Sequence, residues 1–161
     1  MENQTNQPSP ASIMQMGTGF WASKILLTAV YFQLFTHLAK QPSRSAKEIR
    51  SLLDLKCLDR HLYDFLGALT CFGFLKRDGL LETARYSNSL DTDTFLDKAK
   101  PSYIGGILEM MNHRLYGFWG NLQEGLKTGL AQNEVKSGSE PIFVTLYKNP
   151  DLLKEFVNAM S

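Results

Sequence analysis

The strongest pattern lies near the amino end. From Phe20 to Ala39 the chain reads FWASKILLTAVYFQLFTHLA, and fourteen of these twenty positions are apolar or aromatic. The spacing predicts a helix that begins near Ser12 and stops before Gln41-Pro42, because the residue preceding a proline is driven out of the helical region. The apolar positions do not share one stripe. Trp21, Ile25, Leu26, Ala29, Phe32 and Phe35 cover one side, and Leu27, Val30, Tyr31, Leu34 and Leu38 take much of the rest. A helix that is apolar around most of its circumference has to be enclosed by protein or lipid. Lys24, Thr28, Gln33 and His37 interrupt the run, and no stretch approaches the roughly 18 consecutive apolar residues of a membrane span. A single domain of 161 residues struggles to wrap one helix on every side. Another chain is therefore expected to cover part of it.

Downstream, the pattern becomes shorter in period and more punctuated. Ser45-Ala-Lys-Glu48 predicts a capping box, in which the Ser45 hydroxyl takes the Glu48 amide and the Glu48 side chain reaches back. Ile49, Leu52 and Leu53 give that short helix its apolar face. Asp59 is expected to cap the next helix, whose stripe is Leu62, Phe65, Leu66, Leu69 and Phe72. Gly73 suits a left-handed stop. Asp78-Gly79 then marks a turn between two short runs that can pair, Phe74 to Arg77 and Leu80 to Tyr86. Helix, turn, helix and hairpin in that order predict a winged helix at about 45–88. DTDTFLDK reads as a short helix capped by Asp or Thr. PSYIGGILEMMNHRLYGFWGNLQEGLKTG reads as one long helix or two in tandem, with Gly129 as its stop. AQNEVKSGSE is a polar loop. Pro141 opens a helix that ends at Asn149-Pro150, and Asp151 is expected to cap a last helix with Leu152, Leu153, Phe156, Val157 and Met160 apolar. The fold class is therefore mainly α, with one small β-hairpin. Residues 1–11 read as a disordered tail and 12–161 as one domain.

Composition narrows the function. There are 17 Lys plus Arg against 16 Asp plus Glu, and hydrophobic residues make up 43% of the chain. That balance favours a globular core over disorder and argues against a protein whose affinity comes from neutralising phosphates. Cys57 and Cys71 are too few for a disulfide framework and read as reduced thiols of a cytoplasmic protein. MENQTNQPSP has neither the basic nor the apolar region of a secretory signal.

Candidate chemistry is sparse. A winged helix raises the alternative of a DNA-binding regulator. Its recognition-position helix, DRHLYDFLGALTCFG, carries Arg60 against Asp59 and Asp64, and Lys76, Arg77 and Arg85 add few basic residues for phosphate and base contacts. A structural role is the better reading, and neither nucleic acid nor membrane is expected as a partner. His37, His61 and His113 show no HxxxH or HExxH spacing and the cysteines form no CxxC, so no metal site is expected. His37 lies near a helix end, where the last carbonyls suit it. Glu109 is a lone acid in an apolar helix and reads as a satisfied or surface residue. Met110, Met111, Asn112, Tyr116, Phe118 and Trp119 cluster Met with aromatics, which is first of all a core pattern.

The ordered series of segments resembles the amino-terminal dimerisation domain of S-adenosylmethionine-dependent O-methyltransferases of secondary metabolism. The animal N-acetylserotonin methyltransferase is similar. The segments are GFWASKILLTAVYFQLFTHLA, SAKEIRSLL, DRHLYDFLGALTCFGFLKRDG, TFLDKAKPSYIGGILEMMNHRLYGFWGNLQEGLKTG and LYKNPDLLKEFVNAMS. The resemblance implies an obligate, intertwined homodimer whose helices interlock, with a lid and back wall for the acceptor pocket. It implies a dimer seam at Phe20, Trp21, Ile25, Leu26, Ala29, Phe32 and Phe35. It implies substrate-lining roles for Met111, Asn112 and Tyr116, and Phe20 and Trp21 could also reach the partner's pocket. A full-length relative is a second possible partner. The complete enzyme would transfer a methyl group from S-adenosylmethionine to a hydroxyl of a small aromatic metabolite.

The catalytic half of such enzymes opens with a strand and a DxGxGxG turn. Gly17-Thr-Gly19 precedes a helix without a strand, and Gly105-Gly106 lies in a helical pattern, where close helix packing is the better reading. No cofactor site and no catalytic residue are expected in this chain, which is read as a lid and dimerisation module. The amphipathic helix at its carboxyl end is expected to pack against a further segment. A carrier that binds flat phenolics without chemistry is a further alternative.

Overall fold

The computed structural model describes residues 7–136 and 141–160. The predicted tail falls partly outside these residues, as does the end of the polar loop at 137–140. Residues 7–10 are exposed, and helix α1 begins at Ala11.

The chain is mainly helical with one hairpin, as its periodicities predict. The apolar run is broken where one continuous helix was expected. α1 (Ala11–Tyr31) ends at Phe32, Gln33 takes a left-handed conformation with φ 53°, and α2 (Leu34–Lys40) resumes at a new angle. The Gln33 amide donates to the Val30 carbonyl at 2.9 Å, and the Gln33 carbonyl accepts from His37 at 3.0 Å, so the break leaves backbone groups bonded on both sides. Neither glycine nor proline marks the site. The kink turns Leu34, Phe35 and Leu38 inward, and all three are completely buried. Burial of large apolar side chains, each contributing roughly 1.5–3 kcal/mol, exceeds the roughly 1–2 kcal/mol cost of one left-handed non-glycine residue.

α3 (Ala46–Leu52) starts with the predicted capping box. Glu48 donates its amide to Ser45 Oγ at 3.3 Å, and its carboxylate accepts from the Ser45 amide at 2.8 Å. α4 (Asp59–Cys71) buries Leu62, Leu66 and Leu69, while Phe65 is half-buried and Phe72 exposed. Asp59 does not cap it. Its carboxylate instead pairs with Arg50 at 2.7 Å, tying α4 to α3. Gly73 provides the predicted left-handed stop, at φ 77°.

The hairpin pairs β1 (Leu75–Asp78) with β2 (Arg85–Asn88), Leu75 opposite Asn88 and Asp78 opposite Arg85. Its second strand starts later than predicted. Leu80 to Thr83 form a loop with one turn of 3-10 helix, closed by Thr83, whose hydroxyl donates to the Leu80 carbonyl at 2.7 Å. An isolated bridge between Arg44 and Tyr86 adds a third short segment to the hairpin. The core lies between α2, α3, α4 and this sheet, with Val30 from the end of α1.

α5 (Leu90–Phe95) is capped by Ser89 rather than by Asp or Thr, with the hydroxyl accepting from Thr92 at 3.4 Å. The long apolar segment is neither one helix nor two. α6 (Gly105–Met110) passes into a turn of π-helix at Met111–Leu115, then α7 (Tyr116–Trp119), and after a step at Gly120 into α8 (Leu122–Thr128), which Gly129 ends at φ 71°. α9 (Ile142–Lys148) and α10 (Pro150–Met160) follow. The cap of α10 is Asn149, whose Oδ1 accepts from Asp151 at 3.1 Å and from Leu152 at 3.3 Å; Asp151 is not the cap. α10 packs on α6 at Gly106, where a Cβ would lie 2.3 Å from the Asn158 carbonyl oxygen. Only a residue without a side chain permits that approach.

Candidate functional site

The first half of α1 stands away from the core. Ile13, Met14, Met16, Phe20 and Trp21 are exposed, Met16 by 83% and Trp21 by 61%. The rings of Phe20 and Trp21 lean together with centroids 5.5 Å apart. Of the seven residues expected at a seam, Phe20 and Trp21 are open, and Ile25, Leu26 and Phe32 are half-buried. Ala29 and Phe35 are enclosed by the chain itself and present nothing to a partner. The kink at Gln33 makes this division, because it redirects Phe35 from the line of α1 into the core.

Beside this face runs an apolar groove of about 420 Å3. Phe20, Ser23 and Leu27 of α1 form one wall. Met111, Leu115, Tyr116, Trp119 and Gly120 form the other. The wide turn of π-helix adds one residue to the local register, and such turns recur at functional sites. Among the expected substrate-lining residues, Met111 and Tyr116 therefore share a wall with each other and face Phe20. The Tyr116 hydroxyl donates to the Phe20 carbonyl at 3.4 Å, joining the walls.

Asn112 does not line the groove. Its Oδ1 accepts from Lys24 Nζ at 2.6 Å, and the residue borders a second cleft of about 470 Å3 together with Tyr31, Gln33, Glu109, His113 and Glu155. Lys24 Nζ also stands 4.7 Å from the centre of the Tyr116 ring. Sequence reading missed Ser23 and Lys24. The spacing 20, 23, 27 on one helical face was a usable signal, as was a single charge in an otherwise uncharged helix.

Several polar groups at or near the second cleft are paired. Glu109 accepts from the Tyr103 hydroxyl at 2.8 Å and from Lys98 at 2.6 Å, which fits its expected reading as a satisfied acid. Burial, and then the Glu109 carboxylate, raise the Tyr103 pKa. His113 Nδ1 lies 3.1 Å from Glu155, and Arg114 binds Glu134 at 2.5 Å with both side chains largely buried. His61 is exposed, and His37 lies in the last turn of α2, where helix carbonyls suit it. Both cysteines are free, Cys71 exposed and Cys57 half-buried.

On α3, Glu48 accepts from Arg85 at 2.6 Å and from Arg44 at 3.2 Å. Its pKa is lowered to about 2, first by the Ser45 amide, then by the Ser45 hydroxyl, with the two arginines adding to the effect. Arg60 lies 3.8 Å from Asp64. Neither glycine pair fits a nucleotide-cradling turn. Gly17 and Gly19 lie inside α1, and the space beside Gly105 and Gly106 is filled by the Tyr103 ring and the Asn158 backbone. Among the described residues no helix is long and apolar enough to cross a membrane.

Residues 14–98 match the family model of the O-methyltransferase dimerisation domain. The chain is 33% identical, over 99% of its length, to the tetracenomycin polyketide synthesis 8-O-methyl transferase TcmO of Streptomyces glaucescens, covering 44% of that protein. It is 34% identical over 86% of its length to the S-adenosyl-L-methionine-dependent methyl transferase PigF of a Serratia strain, covering 38% of it. The chain thus spans less than half the length of these curated relatives. Human N-acetylserotonin methyltransferase, solved in complex with SAM, shares the fold with a TM-score of 0.83 at 18% identity, over 99% of this chain and 46% of that one.

Proposed function

The chain belongs to the O-methyltransferase dimerisation domain family, and on that premise we propose that it pairs with a second copy of itself and presents one wall of an aromatic acceptor site. The observation that carries the reading is the bare first half of α1. An apolar face of this extent, next to a core that is fully closed, is the surface of an interaction site. The seam would use Phe20 and Trp21, with Ile25, Leu26 and Phe32 at its inner edge. Covering them contributes roughly 25 cal/mol per Å2 of apolar area to association, while the closed core keeps each copy folded.

The groove beside the seam fits the edge of a flat ring. Phe20, Tyr116 and Trp119 offer aromatic faces, and Met111 is an adaptable thioether. The complete enzyme would transfer a methyl group to a hydroxyl of such a ring. S-adenosylmethionine and the catalytic groups would be held outside the folded elements described here, since neither glycine pair offers it a cradle. Within such an enzyme, this domain, occupying residues 12–161, would act as dimer contact and lid, in the cytoplasm. Pairing with a full-length relative through the same helix is the corresponding heterologous association. The winged helix then serves as the scaffold that fixes α2 and, through the kink, the direction of α1.

The test is size-exclusion chromatography with light scattering on the chain and on the double variant Phe20→Asp, Trp21→Asp. The expected result is a dimer for the parent and a monomer of unchanged helical circular dichroism for the variant. A variant that remains dimeric contradicts the assignment of the seam.

A further inference from the structure

We propose that residues 130–136 form a strap held shut by one ion pair, Arg114 with Glu134, and poised to swing off an apolar groove on α8. Neither the dimer seam nor the acceptor site is needed for this reading. The segment follows the left-handed stop at Gly129 and turns back onto α8. A Cβ on Gly125 would lie 3.2 Å from Gln132 Cγ, so the strap rests directly on that helix. Leu130, Ala131 and Gln132 line a groove of about 490 Å3 together with Trp119, Leu122 and Leu126. Trp119 also borders the groove beside α1. Among the described residues, the other hydrogen bonds of the strap are local. Leu130 donates to Thr128 Oγ1, Gln132 to the Leu130 carbonyl, and Val135 and Lys136 to Asn133. Glu134 alone reaches a distant element: its carboxylate binds Arg114 Nε, twenty residues earlier on the π turn. The two side chains are largely buried, Arg114 at 10% exposure and Glu134 at 15%.

The closed form carries a cost of its own. Arg114 Nη1, Glu134 Oε2 and Gln132 Oε1 are buried with no hydrogen-bond partner among the described residues. A guanidinium and a carboxylate can make two parallel bonds, and here they make one. Buried polar atoms are ordinarily bonded, and each one left unpaired disfavours the state that buries it. Opening the strap returns all three atoms to water. No described residue of the strap belongs to the core cluster, so the core need not follow. The attraction of the pair and the penalty of the unpaired atoms oppose each other at one place. That balance suits a segment that opens locally while the rest of the fold stays shut.

The experiment is alkylation by iodoacetamide of the full 161-residue chain carrying Val135→Cys, with each thiol followed separately by mass spectrometry of its peptide. Val135 is half-buried in the strap. Cys57 packs on the core and reports global opening, and Cys71 is exposed and sets the rate of an open thiol. The introduced thiol is expected to react more slowly than Cys71. Glu134→Gln should speed it by at least about tenfold, because breaking a largely buried pair strands a charge, with Cys57 unchanged. Replacing both partners, Arg114→Met with Glu134→Leu, should return the rate to that of Val135→Cys alone or below it, since two of the unpaired atoms go with the charges. A thiol at 135 that already reacts as fast as Cys71, or one that Glu134→Gln does not accelerate, overturns the latch. Equal acceleration of Cys57 makes the pair a support of the whole fold and overturns the strap.

Discussion

Two stretches of one apolar run meet opposite fates. Val30, Leu34, Phe35 and Leu38 are closed off by α3, α4 and the hairpin, none more than 3% exposed. Ile13, Met16, Phe20 and Trp21, a few turns earlier, face outward with more than half of their surface open. The residue types are alike, so hydrophobicity alone does not decide which surface covers a helix. The difference is made at Gln33, where the chain leaves one helix axis and takes another. The inner stretch is held by its own fold. The outer stretch has the composition of a core without the rest of a core around it.

Substitutions in each stretch should separate these two roles. Phe35→Ala, in the covered stretch, is expected to cost about 3–5 kcal/mol in urea unfolding, as for other buried aromatic truncations. The matched change Trp21→Ala should leave monomer stability nearly unchanged and weaken self-association instead. If Phe35→Ala costs less than about 1 kcal/mol, the covered stretch is not the core.

Ser45→Ala removes the cap that anchors the covered side and should cost about 1 kcal/mol by the same unfolding measurement. Gln33→Gly, at the boundary itself, relieves a left-handed non-glycine residue at the expense of unfolded-state entropy. A net gain of about 0.5 kcal/mol in thermal unfolding is expected. A loss there would mean that the Gln33 side chain, not its backbone, holds the kink.

The smallest effect is electrostatic. Because the folded protein holds the Glu48 pKa at about 2 against an ordinary value of 4.5, Glu48 contributes stability above pH 4.5 that is lost as pH falls toward 2. Urea midpoints taken through that window should fall less steeply in Glu48→Gln than in the parent. Parallel slopes would show that the Ser45 and Arg85 contacts do not hold the carboxylate. The effect is small because the group is open to solvent, where screening weakens such pairs.

Much of this arrangement was legible in the sequence. The capping box, the stop glycines, Leu62, Leu66 and Leu69 of the α4 stripe and the presence of a hairpin each follow from local chemistry, whereas Phe72 is exposed and the second strand starts later than its apolar run. The kink at Gln33 was not legible, because a left-handed glutamine has no compositional mark and its cause is the burial of Leu34 and Phe35 by distant elements. The π turn at Met111–Leu115 was hidden for a related reason. It shifts register without a break in apolar spacing, so the segment reads as one long helix or two in tandem. Asn149 was overlooked as a cap because Pro150 and Asp151 gave louder signals. In the groove, Met111 and Tyr116 could be named from their clustering, but Asn112, their neighbour in sequence, is turned to Lys24. Which neighbour points which way is set by the π turn, and so by packing between α1 and α6.

The most direct test is sedimentation equilibrium of the unaltered chain, carried down to sub-micromolar concentration. If the open stretch of α1 is half of an interface between two copies, the mass is twice 18.2 kDa and falls only on dilution. A homogeneous particle of 18.2 kDa throughout the series, folded and soluble with Trp21 in water, would contradict it.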